Sequence, residues 1–214
     1  MRRALQMLIF ALAIRPFVFV WVGLAVRNRE RLPLVGPAVI VANHNSHLDT
    51  LVLMALYPLR LLHRVRPVAA ADYFLKPGPL GWLATTVIGI LPIERTGRFR
   101  GAADSIEACA AALRRGEILI LFPEGSRGEP ERLSTFKRGI AHLAERLPDV
   151  PVIPVFMRGL GKVLPRGDWL PVPFFCDVFI GDSLPLHADR AGFMAELESR
   201  MAALSNEGHV TPWE

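Results

Sequence analysis

The sequence predicts an α/β fold. It has a mixed, largely parallel central sheet flanked by helices, with an N-terminal membrane-associated helical segment. Three observations predict it. After Pro33, short β-branched runs alternate with helix-period stretches, the pattern that lays strands side by side with helices across their faces. Polar, chemistry-bearing residues fall at the ends of those apolar runs, where α/β sheets hold ligands. Residues 4–26 are almost continuously apolar and stand apart from the alternation.

The N-terminal run comes first. A single helix over its 23 residues would reach about 34 Å, enough to cross a bilayer. Arg15 would then sit near the middle, at a cost of roughly 2.5–3.5 kcal/mol. Both flanks are basic, with Arg2 and Arg3 before and Arg27, Arg29 and Arg31 after, which favours both ends on the cytoplasmic side. Two short helices meeting at Arg15-Pro16 and lying in one leaflet satisfy both constraints, with Pro16 in the first turn of the second. Trp21 suits the interface and equally a core position. A single span and a signal peptide are the alternatives. Against the latter, Arg15 follows too soon and no small-x-small site closes the second run. Residues 1–31 are therefore expected as a membrane-anchoring segment and 32–214 as the catalytic domain. The expected location is the cytoplasmic face of the cell membrane, monotopic or N-terminally anchored.

Ala38–Ala42 reads as a buried strand, followed by a helix over Leu48–Leu56 capped by Asn45 or Ser46. Pro67–Ala71 is a short strand. Asp72–Lys76 and Pro79–Val87 are helical pieces separated by Pro77-Gly78. Ile90–Glu94 is a strand. Ala102–Arg115 is a helix with Ile106, Ala110 and Leu113 on one face, stopped by Gly116. Ile118–Phe122 is a fully apolar strand, Phe136–Arg146 a helix and Val152–Met157 a strand. Residues 158–173, rich in Gly and Pro, read as a long surface loop. Phe174–Ile180 is a late strand and Arg190–Leu204 a closing helix.

Composition bounds what such a chain can be. Its 214 residues suit one large domain or one domain with an appendage. With 51% hydrophobic and 21% charged residues and a mean hydropathy of +0.32, it is greasy for a soluble protein yet too polar for several membrane spans. The formal charge is +5. Of 25 basic residues only Lys76, Lys137 and Lys162 are lysines, so 22 are arginines. Arginine suits bidentate phosphate contact; a GC-rich genome would explain the arginines and the abundant alanine equally well. Cys109 and Cys176 lie far apart in apolar surroundings and read as small buried hydrophobes, with no disulfide framework or zinc site.

Three polar segments carry the chemistry. Asn43 to Asp49 places His44 and Asp49 five positions apart after a strand. Five residues turn about 500° in a helix, so the two share no helical face. They can meet if His44 lies in the loop and Asp49 in the first helical turn. A neutral imidazole oriented by a carboxylate activates hydroxyls, although such a pair alone is more often structural. Gly89 to Arg95 ends a buried strand in arginine, with Arg98 and Arg100 beyond, and reads as an anion clamp or a solvated turn. Phe122 to Arg127 ends a strand at Pro123 and then offers Glu124, Gly125, Ser126 and Arg127. Backbone N–H groups, a hydroxyl and a guanidinium there would bind a phosphate monoester. His44, His47 and Asp49 can also be read as metal ligands of a hydrolase, but His63, His142, His187 and His209 complete no ligand set.

Taken together, the order and spacing resemble the glycerophosphate and lysophospholipid acyltransferase family, in particular its 1-acylglycerol-3-phosphate acyltransferases. Its Asn-His-x4-Asp block is matched by Asn43 to Asp49, and its Gly-x5-Arg block by Gly89 to Arg95. Its Phe-Pro-Glu-Gly-Thr/Ser-Arg block is matched by Phe122 to Arg127, and its Val-x-Pro-x block by Val150 to Val155. Phe136-Lys137-Arg138-Gly139 looks like its Phe-Lys-x-Gly segment. Ser126 stands where threonine is commoner, Gly128 where serine is frequent, and Leu91-Pro92 where many members carry an aromatic.

The resemblance implies transfer of a fatty acyl chain from a thioester to a lysophospholipid hydroxyl, lysophosphatidic acid to phosphatidic acid before all, without a covalent acyl-enzyme. His44 would be the general base and Asp49 would orient it. Arg95, Glu124, Gly125, Ser126 and Arg127, with Lys137, would bind the acceptor's phosphate and glycerol. No cofactor or metal is implied. The expected partners are acyl-coenzyme A or acyl carrier protein as donor, the lysophospholipid acceptor and a membrane surface, and no nucleic acid. A basic surface would attract anionic lipids and an acidic donor. Another lysolipid, such as a lyso-aminolipid, is the alternative acceptor. A metal-dependent hydrolase and a non-catalytic membrane lipid-binding protein are the alternatives of other classes.

Overall fold

The computed structural model describes residues 1–74, 78–94, 100–126, 128, 132–163, 172–184 and 189–207. Its strands are β1 (Leu24–Arg27), β2 (Ala38–Ala42), β3 (Val65–Ala70), β4 (Leu91–Ile93), β5 (Ile118–Leu121), β6 (Val152–Arg158) and β7 (Cys176–Ile180). Its α-helices are α1 (Arg2–Ile9), α2 (Leu48–Ala55), α3 (Ala71–Phe74), α4 (Pro79–Trp82), α5 (Arg100–Arg114), α6 (Gly139–Arg146), α7 (Leu160–Val163) and α8 (Arg190–Glu207). The strands form one sheet in the order β1-β7-β6-β2-β5-β3-β4. From β6 to β4 all neighbours are parallel; β7 runs antiparallel to β6 and carries β1 parallel to itself.

β2 lies at the middle of the sheet with all five residues buried. A strand covered on both faces needs no polar alternation, which is why this run was legible as a strand. Ala38, Ile40 and Ala42 face a core shared with α2 and the N-terminal helix. Val39 and Val41 face a second core with α5, α6 and α8. The sheet is therefore the middle layer of three.

The N-terminal segment differs from the two short helices expected. It is one helix, Arg2–Trp21, in which π-helical turns at Phe10–Ile14 and Phe17–Trp21 flank Arg15-Pro16. Proline cannot donate the usual backbone hydrogen bond, and wider π turns absorb that defect without breaking the axis. Its docked face carries Gln6, Phe10, Ile14, Val18 and Val22. α turns hold fewer than four residues and π turns more, so every fourth residue stays on one face. Gln6 Nε2 donates to Val87 O at 2.8 Å, and Arg15 donates to Tyr57 O just past α2.

Three further expectations shift. β1 lies inside the stretch assigned to the anchor, so the sheet begins before residue 32. Arg29 and Arg31, counted among the flanking cations, bind protein acceptors. Arg29 donates to Leu56 O at 2.9 Å, and Arg31 pairs with Asp182 at 3.0 Å. The expected loop 158–173 contains α7, where Leu160 and Val163 are fully buried.

Candidate active site

The site starts where β2 runs out of ladder. Asn43, next after Ala42, is buried and pairs with one residue of β6. Its Nδ2 donates to Met157 O at 2.9 Å and its Oδ1 accepts from Met157 N–H at 2.7 Å. The amide thus continues the sheet by side chain while the backbone of β2 turns away. His44 follows on that turn, at the carboxyl edge of the sheet.

Asp49 is the second residue of α2 and fully buried. Its Oδ2 accepts from His44 Nδ1 at 2.9 Å, from Asn45 N–H at 2.6 Å and from Ser46 N–H at 2.8 Å. Three donors on one oxygen, at the N-terminus of a helix, stabilise the ionised carboxylate. Because that carboxylate can only accept, His44 Nδ1 carries the proton and Nε2 keeps its lone pair. The N-cap of α2 is His47 rather than either expected residue; Ser46, one position earlier, accepts from Leu48 N–H through its Oγ at 3.3 Å. Asn45 has no partner for its side-chain amide among the described residues.

The turn after β5 holds His44 from the other side. The Phe122 ring stacks on the imidazole with centroids 4.2 Å apart and planes 22° off parallel. Glu124 Oε1 accepts the His44 backbone N–H at 3.2 Å, and Gly128 N–H donates to His44 O at 3.0 Å. Glu124 itself is buried. Burial pushes its carboxyl above the ordinary value, opposed in part by the hydrogen bond from the His44 N–H. Gly125 has φ 72°, and a Cβ there would overlap the Lys137 side chain, so glycine serves both the backbone and the close approach. Lys137 is tied to the same turn by its N–H to Pro123 O at 2.8 Å. That tie holds Phe136–Arg138 outside the helix expected to include them; α6 begins at Gly139.

These groups face a cavity of about 550 Å³. His44, Gly125 and Lys137 line part of it, and Leu51, Val68, Ile90, Ile106, Leu121 and Leu143 line much of the rest. The sheet makes the space by splitting. Residues Val65 to Pro67 of β3 pair with β5, but Val68 to Ala70 pair with β4 alone. An apolar cleft with a few polar groups converging at one part of its wall is the usual form of a small-molecule site.

The structure thus gathers His44, Asp49, Glu124, Gly125 and Lys137. Ser126 is exposed on the same turn. Arg95 and Arg127 lie outside the described residues, as does Arg98. His47 lines the cavity, and among the described residues no group of three or more His, Cys, Asp or Glu is placed to hold a metal ion. In the sequence Asn43 and Phe122 stand as motif letters at the ends of apolar runs; only Asn43 adjoins His44 in the chain, and Phe122 reaches it through the fold. The cavity wall had no such signal, because its residues come from six separate segments.

A family model described as acyltransferase matches residues 23–158. A chloroplastic 1-acyl-sn-glycerol-3-phosphate acyltransferase of Brassica napus is 32% identical over 143 residues, 66% of this chain and 39% of that protein. The alpha 1-acyl-sn-glycerol-3-phosphate acyltransferase of Mus musculus is 34% identical over 132 residues, 62% of this chain and 44% of that protein. The chain therefore spans less than half the length of these curated relatives. The crystal structure of PlsC, a 1-acyl-sn-glycerophosphate (LPA) acyltransferase from Thermotoga maritima, superposes with a TM-score of 0.73 at 20% identity. It covers 98% of this chain and 82% of that one, and it shows the shared fold.

Proposed function

The chain belongs to the acyltransferase family, and on that footing we propose that it moves a fatty acyl chain from a thioester to the free hydroxyl of lysophosphatidic acid, giving phosphatidic acid. The observation that carries the reading is the 2.9 Å contact of His44 Nδ1 with buried Asp49, which leaves Nε2 as a base at the wall of an apolar cavity.

The chemistry follows from that arrangement. Nε2 takes the proton of the acceptor hydroxyl as its oxygen attacks the thioester carbonyl. The C–O bond forms, the C–S bond breaks, and the imidazolium returns the proton to the leaving thiolate. Asp49 stabilises the transient positive charge on His44. Lys137 and Ser126 are the described groups that suit a phosphate, with Gly125, whose N–H is already donated to Phe122 O, Arg95 and Arg127 assigned to it by motif. Glu124 belongs to the same set by motif, and its hydrogen bond to the His44 N–H gives it a positioning role as well. The apolar part of the cavity suits the acyl chain. The donor is acyl-coenzyme A or acyl carrier protein.

The same reading places the protein on the cytoplasmic face of a membrane, monotopic. The helix Arg2–Trp21 is apolar enough to enter lipid. Spanning would require it to abandon Phe10, Val18 and Val22, which are fully buried against the protein, so lying in one leaflet is the arrangement that keeps its packing.

The test is product analysis by mass spectrometry on a mixed lysolipid pool with either donor. Formation of phosphatidic acid by the native chain, and a fall of about 10²–10⁴-fold in the folded His44→Ala variant, is the expected result. Full activity in folded His44→Ala overturns the mechanism, and a product from another lysolipid alone overturns the acceptor.

A further inference from the structure

The carboxyl edge of the sheet carries a feature that the mechanism does not use. The segment Val172–Phe175 exposes Val172, Phe174 and Phe175, the last at 85%. Large aromatic side chains held this far out of the protein are uncommon without a partner surface. The segment is anchored on both sides: Val172 N–H donates to Val163 O at 2.8 Å, and β7 begins at Cys176.

Its neighbours extend it. The Phe175 ring lies against Gly23, where a Cβ would come within 3.1 Å of Cδ1. It therefore adjoins the end of the N-terminal helix, whose Val20 is 82% and Trp21 49% exposed. Lys162 sits beside it, with Nζ 5.2 Å from the Phe174 ring centroid. Exposed aliphatic side chains, aromatic rings and a nearby cation form the composition of a membrane-interface contact.

Register fixes where this patch lies relative to the chemistry. Leu24 is opposite Cys176, Asp177 opposite Arg158, and Val155 opposite Ala42. The starts of β1 and β7 therefore lie at the same edge as the end of β2, where His44 emerges. β7 is two strand positions from β2, roughly 10 Å. A surface that touched both the helix end and the aromatic tip would face the edge of the sheet at which His44 emerges.

We propose that Val172–Phe175 is a second membrane contact, a tip that enters the lipid interface beside the N-terminal helix and orients the active-site edge toward the bilayer. The proposal rests on the monotopic reading above. One contact along a helix axis leaves the molecule free to roll about that axis; a second contact off the axis removes that freedom.

The test is flotation of the full chain with phosphatidylcholine–phosphatidylglycerol vesicles. Native protein, Phe174→Ser/Phe175→Ser and Phe175→Ser are compared, with far-UV circular dichroism as the folding check. The double variant should partition about tenfold less than native, with transfer to a short-chain, monomeric acceptor unchanged. Native flotation with unchanged flotation of both variants overturns the tip and leaves the helix anchor standing. No flotation of the native chain overturns the monotopic reading and the tip with it. Loss of a native dimer in light scattering, with flotation unchanged, assigns the patch to a second copy of the chain and also overturns the proposal. Should the double variant not fold, Phe175→Cys carrying a nitrobenzoxadiazole label decides: a blue shift on adding vesicles supports the tip, and no shift overturns it.

Discussion

His44 is held by contacts from two different elements, and each acts on a different freedom of the ring. Asp49 fixes the tautomer, the Phe122 ring fixes the plane, and Glu124 and Gly128 fix the backbone that carries it. Asp49→Asn should keep the side chain's size while letting Nδ1 lose its proton, stranding the base in the wrong tautomer. A fall in kcat of about 10³–10⁴-fold with little change in acceptor KM is expected, read from steady-state rates on folded protein. Glu124 yields a pH prediction. Its folded-state carboxyl titrates above the ordinary value because it is buried, so the folded chain keeps the proton after the unfolded chain has lost it. Its contribution to stability is therefore largest below the ordinary carboxylate value and declines as pH rises through the folded value. Urea midpoints measured from pH 4 to 8 should fall less steeply in Glu124→Gln than in the native chain. Cys109 is a further residue-level case: burial pushes its thiol up to about 11. Iodoacetamide at pH 8 should leave it unmodified until urea unfolds the protein. Of these facts the His44–Asp49 pairing was legible in sequence, because the spacing allows a loop histidine to meet a carboxylate in the first helical turn. The stacking of Phe122 was not, since it depends on β5 lying beside β2.

At the scale of elements, the strands show what a sequence marks clearly. Ala38–Ala42 was bounded correctly and Ile118–Leu121 to within one residue, because full burial on both faces writes an uninterrupted apolar run. β1 was hidden: it follows an apolar helix without a break in composition, and as an edge strand it is only half buried. The N-terminal helix was visible as apolar, yet its docked stripe was not, because nearly every residue along it could have served. Arg15 explains how a charge is tolerated in that stretch. With Arg29 it donates to the carbonyls of Tyr57 and Leu56, where α2 leaves acceptors unsatisfied and its dipole favours a cation. Arg15→Leu should therefore destabilise the protein by about 1–2 kcal/mol, seen as a lower urea midpoint. No loss would mean that solvent supplies the carbonyl as well as the guanidinium does.

The whole molecule brings together what no single element holds. The cavity exists because β3 leaves β5 after Pro67 and pairs with β4, with α5 and α6 supplying much of one wall. Cys109 on α5 lines it, and Cys109→Phe should fill part of that space. The expected outcome is a loss of kcat/KM of about tenfold or more for long-chain donors relative to short ones; an equal loss for every chain length would argue that the acyl chain lies elsewhere. At this scale too the end of the N-terminal helix, the exposed Val172–Phe175 segment and His44 share one edge of the sheet, the juxtaposition on which the proposed second membrane contact rests. By itself the sequence determined the layered α/β class, most of the buried strands, the family blocks and the identities of the polar residues in them. Those properties are carried by local composition and spacing. Tertiary structure alone decided which face of the N-terminal helix is docked, where the sheet opens, and how Asn43, Phe122 and Glu124 hold His44, because each depends on contacts between residues tens of positions apart in the chain.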